Sequence, residues 1–421
     1  MKSLRITLIA LVVLIAGAAM AFAHNQFRSW NHSTNSALLS ISERQSVDVG
    51  LVSADVSVGN SSVAIGEIFQ QRWIIDLNAV ADDLGSNDWE FGTTSDATHF
   101  ATFHFGRVGV GYYTSASHII HLTLPNSLFE TVSEGLPHND DGGPIERSGE
   151  GEAALASFAE AGLYGSYRHA DHLFAVKAGA YVPLFYGEDV AFAYDLYMGE
   201  EPNDDGNVID FRGRLDGAVL TSVNLDDPSD FDFGVKTDIG VVRRDERRRA
   251  MYGLGVNNIP IVPARARFRV ADDVSISVTS EGALQALIDG EEPFEIEMFD
   301  LDDALAVERL DEPATVYPET SVSGFYRFDI PIVDVVPHAE YVFGRFARLN
   351  GGLVIEGDLP VLRWFSFGVE RRDFSWRSSA ALRIPLRAVE LTTTVGLSAP
   401  ELRNMFNVHG LAASVALSVG W

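Results

Sequence analysis

The side chains best suited to chemistry in this sequence are its histidines, its blocks of acids and one cluster of arginines. Their spacing argues against catalysis. His99 and His104 lie five apart in a strand-like stretch, and His118 and His121 three apart, so in an extended chain each pair faces opposite sides. His169 and His172 flank Asp171 in a short segment; a metal site there is conceivable, but solvated turn residues are the simpler reading. Residues 139–141 (NDD), 203–207 (NDDGN) and 300–303 (DLDD) offer the hard oxygen atoms that bind calcium weakly. None has the full Asp-x-Asp-x-Asp-Gly…Glu spacing of a calcium loop, and solvated acidic loops are the plain alternative. No nucleophile elbow, His-Glu-x-x-His, phosphate loop or dinucleotide fingerprint occurs. A hydrolase would need a Ser or Asp–His pair gathered from neighbouring strands. The one cationic cluster is residues 243–249, RRDERRR, with Arg243, Arg244, Arg247, Arg248 and Arg249. In an outer loop it would suit anionic headgroups or surface glycans; a solvated turn is the bland reading. The expectation is therefore no enzyme, no cofactor and no resident metal.

Composition narrows the class. Net charge is −28, which argues against nucleic acid as a partner. The absence of cysteine rules out a disulfide framework, thiol chemistry and a lipidated N-terminal cysteine. Lys2 and Arg5 precede an apolar run over 6–23 that closes on Ala21-Phe22-Ala23, the pattern of a cleaved secretory signal, so residues 1–23 read as a signal peptide. An uncleaved membrane helix is the alternative. Beyond it no apolar run reaches the length of a helical span. Only 21% of the chain is charged, and the acids are gathered into blocks between alternating stretches. That arrangement suits a membrane barrel with polar loops, and also a secreted soluble β-protein.

The elements that would position any site are strands. The last stretch, 411–421 (LAASVALSVGW), has apolar residues at odd positions and small or weakly polar ones at even positions. Its length matches the roughly 9–11 residues of a tilted membrane strand. Similar stretches fall at 47–58, 97–124, 159–167, 172–182 and 231–241, then at 321–329, 338–346, 352–358, 362–371, 375–384 and 389–397. In 231–241, Phe231, Phe233, Val235, Ile239 and Val241 share one side and Asp232, Lys236 and Asp238 the other, as lipid-facing and lumen-facing sides would. Residues 281–312 form the largest acidic insertion, with Leu284, Leu287 and Ile288 spaced for a short helix. Aliphatic-Pro pairs at 124, 182, 259, 330, 359 and 384 read as turns at a single, periplasmic end. Loops at 243–249, 281–313, 347–351, 371–374 and 398–409 would then be extracellular. Tyr181 and Trp421 read as interfacial girdle residues, and Phe365, Phe367 and Val369 as lipid-facing.

The signal peptide, the Asn-x-Ala segment at Asn35-Ser36-Ala37, the strand SVDVGLVSADVSVGN, the turn VNNIPIVPARARF and the terminal aromatic resemble a family of outer-membrane barrels. That family is similar in architecture to the long-chain fatty-acid transporters (FadL-like). The resemblance implies an all-β fold, a transmembrane antiparallel barrel of about 14 strands with an N-terminal plug-like segment and long acidic loops. It divides the chain into 1–23, signal peptide; 24–46, plug-like segment; and 47–421, barrel. It implies a diderm outer membrane, with outer-membrane lipid and the barrel-insertion machinery as partners and Trp421 as insertion signal. The expected function is passive uptake or release of hydrophobic small molecules such as long-chain fatty acids, captured in an apolar pocket near the outer mouth and passed along a mobile N-terminal segment. Phe27, Trp30, Asn35, Leu38 and Leu39 are the plug or ligand-contact candidates. Ser36 stands where the family pattern has Pro. A structural or adhesive surface barrel, or a general porin, is the alternative.

Overall fold

The structure is a computed structural model. It describes residues 35–40, 47–61, 84, 88–128, 145–198, 207–224, 230–245, 250–281, 295–298, 307–330, 333–344, 347–357, 365–372, 375–386, 389–399, 402 and 409–420. Among them is a short 3₁₀ turn, Ser36–Ser40, and eighteen strands. In chain order these are β1 (Val47–Asn60), β2 (Trp89–Phe105), β3 (Val108–Leu124), β4 (Ile145–His169), β5 (His172–Met198) and β6 (Asn207–Thr221). There follow β7 (Gly234–Asp245), β8 (Ala250–Val262), β9 (Ala264–Glu281), β10 (Glu295–Met298), β11 (Glu308–Val316) and β12 (Ser321–Asp329). The last are β13 (Val333–Val342), β14 (Arg348–Gly357), β15 (Phe365–Arg372), β16 (Ser375–Leu386), β17 (Val389–Ala399) and β18 (Gly410–Gly420).

Fourteen of these close into an antiparallel ring. The order runs β1 to β5, then β7, β8 and β12 to β18, and β18 returns to β1. β18 pairs β1 from Asp48↔Gly420 to Gly59↔Gly410. Closure leaves no unpaired edge, the condition for backbone in hydrocarbon, where no water can satisfy an N–H or C=O. β4 and β5 are 25 and 27 residues long, far beyond the roughly 9–11 residues that span a bilayer. Their surplus rises past the ring at one end. There β5 changes partner: β7 pairs it up to Tyr181↔Gly234, and β6 takes over from Tyr186↔Leu220. β9 pairs β6, and β10 and β11 pair β9, so a second sheet stands on this end of the barrel. We call it the loop end. The turn end carries the start of β1, the close of β18 and the hairpin turns at Gly106-Arg107 and Ala170-Asp171. Each of these two turns uses a left-handed residue, Gly106 at φ 63° and Ala170 at φ 49°.

The side chains are sorted opposite to those of a soluble protein. Large apolar groups point outward and are exposed, among them Leu163 (70%), Val395 (65%), Leu254 (62%) and Phe367 (58%). Lys177, Lys236, Asp238 and Glu356 point inward and are buried. A soluble sandwich would place these groups the other way, and this sorting fits lipid outside and a polar lumen inside. The alternation in 231–241 falls as expected, with Lys236 and Asp238 in the lumen. Phe367 and Val369 are on the outer face, also as expected.

Several expectations need correction. Tyr181 points inward and is fully buried, so it belongs to the lumen and not to a girdle. The connections after β12, β14 and β16 do lie at the turn end, as the Pro pairs at 330, 359 and 384 imply. The pairs at 124 and 259 lie toward the loop end, and the pair at 182 lies inside β5. Pro183 and Pro260 stand where the register shifts, beside Ser157/Phe158 and beside Val235/Lys236. They mark bulges, where a strand can spare an N–H. The β7–β8 connection, with Arg243 and Arg244 at its start, is at the turn end and not with the outer loops. The ring has the expected fourteen strands, but β9 to β11 belong to the outer sheet and leave β12 to pair β8 directly, so the Pro pairs at 259 and 330 fall at different ends. The proposed helix at 284–288 and the acidic blocks at 139–141, 203–206 and 300–303 lie outside the described residues.

Leu163 lies opposite Tyr112 and Ala178, well within the barrel wall. Leu163→Arg should lower folding stability by about 2–4 kcal/mol, the cost of a cation on the lipid face near mid-membrane. Urea titration of the barrel in lipid vesicles measures it; an unchanged midpoint would remove Leu163 from the lipid face.

Candidate functional site

The lumen is built in layers. Toward the turn end it is filled by an apolar cluster of inward residues, including Phe100, Tyr113, Tyr164, Leu173, Val242, Met251, Phe325, Val336 and Val354. Ala37 and Leu38 of the 3₁₀ turn complete this cluster and are buried at its centre. Residues 35–38 are therefore inside the ring. Asn35 anchors it: its Nδ2 donates to the carbonyls of Leu254 (3.0 Å) and Val241 (3.3 Å), and its Oδ1 accepts from the Ala37 N–H (3.0 Å). The Ser36 hydroxyl donates to the Ala175 carbonyl at 3.4 Å. The wall is shaped for this contact. A Cβ on Gly240 would come 2.2 Å from Asn35 Oδ1 and 2.8 Å from the Ala37 nitrogen, and only glycine leaves that space.

Above this floor lies a cavity of about 400 Å³. Its lower boundary is marked by Tyr113, whose ring carries the Lys177 ammonium 4.9 Å from its centre. On the wall made by β4, β5 and β7, Lys177 pairs with Asp238 at 3.0 Å and Lys236 pairs with Glu160. These four side chains are all at least nine-tenths buried, so each charge depends on its partner. Further bonds complete the network. Asp238 Oδ1 accepts from the Asn258 N–H (2.7 Å), Glu160 Oε2 accepts from the Ser115 hydroxyl (3.2 Å), and Lys236 also donates to Asn258 Oδ1. Asn258 is left-handed (φ 57°) at a register shift of β8, a conformation Asn tolerates better than most residues. The VNNIPIV stretch is thus a stapled bulge that aims Asn258 at the charged layer.

The opposite wall, from β1, β2, β15 and β16, carries Asp55, Asp96, Arg372 and Arg377 in a looser arrangement. Arg372 lies 3.7 Å from Asp55 and 3.6 Å from Asp96, and Arg377 lies 3.7 Å from Asp55. A bulge in β1 puts Asp55 there. The register slips between Gly50 and Ser53 against both β2 and β18, so Leu51 and Val52 both face outward. The slip turns Ser53 and Asp55 inward, where both line the cavity. The sequence signal was present and unread: two alternating runs, VDVGL and VSADVSV, meet at an adjacent apolar pair. Toward the loop end a second apolar cluster of Phe158, Tyr181, Leu220, Ala264, Ala266 and Val316 joins the ring to the outer sheet. The Tyr181 hydroxyl accepts from the Ala264 N–H (3.1 Å) and donates to the Val316 carbonyl (3.0 Å), tying β5 to the outer sheet.

Of the residues singled out in the sequence, Asn35 and Leu38 are brought together against the lumen wall, and Leu39 lies in the same turn. Phe27, Trp30, Arg247, Arg248, Arg249 and Trp421 lie outside the described residues. His99 and His104 do face opposite sides. His99 is on the outer surface, bonded to the Leu51 carbonyl at 3.1 Å and to the Tyr112 hydroxyl at 3.0 Å. His169 and His172 stack on Tyr167 and Phe174 at the turn end. The expected apolar capture pocket is not seen near the outer mouth among the described residues; the apolar groups there pack on one another.

No family model matches the chain, and no curated protein matches it. Solved structures do. One is the TodX deltaS2S3 mutant monoaromatic hydrocarbon channel, at 8% identity and TM-score 0.47, covering 96% of this chain and 98% of that one. Another is the Pseudomonas putida toluene transporter TodX, at 8% identity and TM-score 0.34, covering 96% of each chain. A third is the translocator domain of the autotransporter NalP from Neisseria meningitidis, at 6% identity and TM-score 0.31, covering 90% and 89%. The closed ring of fourteen antiparallel strands has the strand number that the sequence resemblance implied.

Three substitutions test the layers. Gly240→Leu should expel Asn35 from the wall, read as faster proteolysis of residues 24–46 in the folded barrel. Unchanged protection would mean that Asn35 is not held there. Lys236→Met leaves Glu160 buried beside no ammonium and should cost on the order of 3 kcal/mol. Lys236→Met/Glu160→Leu should recover most of that loss. A double variant no more stable than the single one would show that the pair is not the unit.

Proposed function

We propose that this chain is an outer-membrane channel for passive passage of small hydrophobic molecules, closed in this conformation by its own N-terminal segment. The observation that carries the reading is the docking of residues 35–38: Asn35 is bonded to two wall carbonyls, and Leu38 is buried in the apolar cluster that fills the lumen. Short turns of membrane barrels face the periplasm and long connections face outward. On that rule the turn end, with Arg243 and Arg244, is periplasmic, and the standing sheet is extracellular. A molecule entering from the loop end would meet the charged chamber first and the docked segment last. Long-chain fatty acids are the ligand class implied by the family resemblance. The chamber adds a constraint of its own, because its charged walls favour a ligand that carries a polar group on an apolar body. Val342, Val354, Ile119 and Phe158 line the same chamber and offer surface for that body.

A second reading has an observation in its favour. The sheet of β6, β9, β10 and β11 stands on the loop end and would present a rigid surface to an extracellular partner. Calcium at the acidic blocks and recognition of Trp421 by the insertion machinery remain proposals of the sequence.

Deleting residues 24–44 should raise single-channel conductance in planar bilayers, because removal of Leu38 and Asn35 opens the floor of the chamber. An inserted, heat-modifiable barrel with unchanged conductance would refute the closing role. It would leave the surface-binding reading as the better one.

A further inference from the structure

We propose that the turn end of the barrel carries a seat for an anionic glycerophospholipid, with Arg243 holding the phosphodiester of its headgroup. The proposal uses the closed barrel and the periplasmic assignment of the turn end, and it is independent of what crosses the lumen. Residues opposite one another in an antiparallel pair share a face, so the register traces one outward row around the wall. It runs His169↔His172, His172↔Arg243, Arg243↔Tyr252 and Tyr252↔Tyr326. Two residues further into the wall the same face carries the exposed Phe174 and Leu254. The row therefore lies where the lipid-facing apolar surface ends. The Tyr252 and Tyr326 rings stack in it, 5.9 Å between centres. Such rings form the interfacial girdle of a membrane barrel, which marks the level of the headgroups. On the periplasmic side those headgroups belong to glycerophospholipids.

Arg243 is the cation of that row. Its Nη1 donates to the Tyr252 hydroxyl at 3.0 Å, and its guanidinium lies 5.9 Å from the centre of the Tyr252 ring. Both contacts are to a neutral group, and among the described residues no carboxylate pairs with Arg243. A guanidinium is a planar fork of N–H donors that matches two oxygens of a phosphate. The neighbouring turns add to its field. Arg107, Arg168 and Arg244 are exposed at the rim. Backbone bonds tie these turns together: the Arg168 N–H donates to the Arg107 carbonyl (2.7 Å) and the Arg244 N–H to the Asp171 carbonyl (2.9 Å). Over the described residues of the three turns, four arginines stand against two aspartates, Asp171 and Asp245. This local positive excess belongs to a chain of net charge −28. The connection after β12 bounds it, because Asp329 and Asp334 flank it and Arg327 is already paired with Asp334. An anionic lipid suits both halves of the surface. Its phosphate meets Arg243 within the screening distance of the other arginines, and its acyl chains run along Phe174 and Leu254.

The test uses the full-length barrel in detergent, with bound lipid counted by native mass spectrometry. The probes are dioleoylphosphatidylglycerol and dioleoylphosphatidylethanolamine, which share acyl chains and differ in headgroup charge. The anionic lipid should bind at least about five-fold more tightly, the scale of one basic residue at an anionic surface. Arg243→Gln should remove most of that preference. Arg265→Gln, at an exposed arginine of β9 in the outer sheet, should leave it unchanged. Equal binding of the two lipids by the wild type, an unchanged preference in Arg243→Gln, or an equal loss in Arg265→Gln would overturn the seat. Stronger displacement by inorganic phosphate than by sodium chloride of the same ionic strength would also overturn it, marking a site for soluble phosphate. If Arg243→Gln fails to give a heat-modifiable barrel, Arg107→Gln/Arg244→Gln, changed at two exposed side chains, decides in its place, and an unaltered preference is the overturning result. Conductance is read separately. Loss of the lipid preference leaves the channel standing, and an unchanged conductance in the 24–44 deletion leaves the lipid seat standing.

Discussion

Backbone hydrogen bonding in a medium without water governs this molecule. Every N–H and C=O at membrane depth must find a partner within the sheet, so the sheet must close on itself. The seam between β1 and β18 achieves this over most of the length of both strands. The other features follow from having a closed wall. Once the outer face meets lipid, apolar side chains are exposed there, and the lumen receives the polar and charged ones.

Filling a fourteen-stranded lumen is then a problem in its own right, because a ring of this size is too wide for its own side chains to meet across it. Here it is solved in two ways at different depths. Near the turn end a foreign segment, residues 35–38, brings apolar side chains that complete a packed cluster. Glycine at 240 leaves the room for it. Further up, ion pairs replace packing. Lys177 with Asp238 and Lys236 with Glu160 neutralise charges that are largely withdrawn from solvent. The facing wall pairs its charges at longer range, which leaves an oxygen of Asp55 without a donor.

The surplus length of β4 and β5 gives the loop end its character. A strand pair that outgrows the membrane exposes new edges, and β6 covers that of β5, with β9 on β6 and β10 and β11 on β9. The change of partner on β5 is fixed by Tyr181, the last β5 residue paired with β7, whose hydroxyl bonds both β9 and the end of β11. Its ring lies so close to Gly234 that a Cβ there would be 2.3 Å away, which helps explain why the pairing with β7 ends at a glycine. Outer sheet and ring are thereby one hydrogen-bonded unit.

By itself the sequence determined the strand character, the closing strand and the assignment of faces. A period of two is local, and burial on one side only imposes it residue by residue. β12 spans the expected 321–329, and Lys236 and Asp238 lie on the lumen side as their alternation required. Asn35 and Leu38 were singled out through the resemblance of their segment to the Asn-x-Ala pattern, and both lie against the lumen wall. What the sequence did not decide was which strands share a wall. β9 alternates over 264–269 as a ring strand would, and only the pairing of β12 with β8 excludes it from the ring. That error reversed the end assigned to Arg243 and Arg244. The partners within the chamber were equally out of reach. Asp55 reaches Arg372 and Arg377 across more than three hundred residues, and it does so because one extra residue in β1 turns it inward. Register and closure are long-range properties of the whole sheet, so tertiary structure alone brings those charges together.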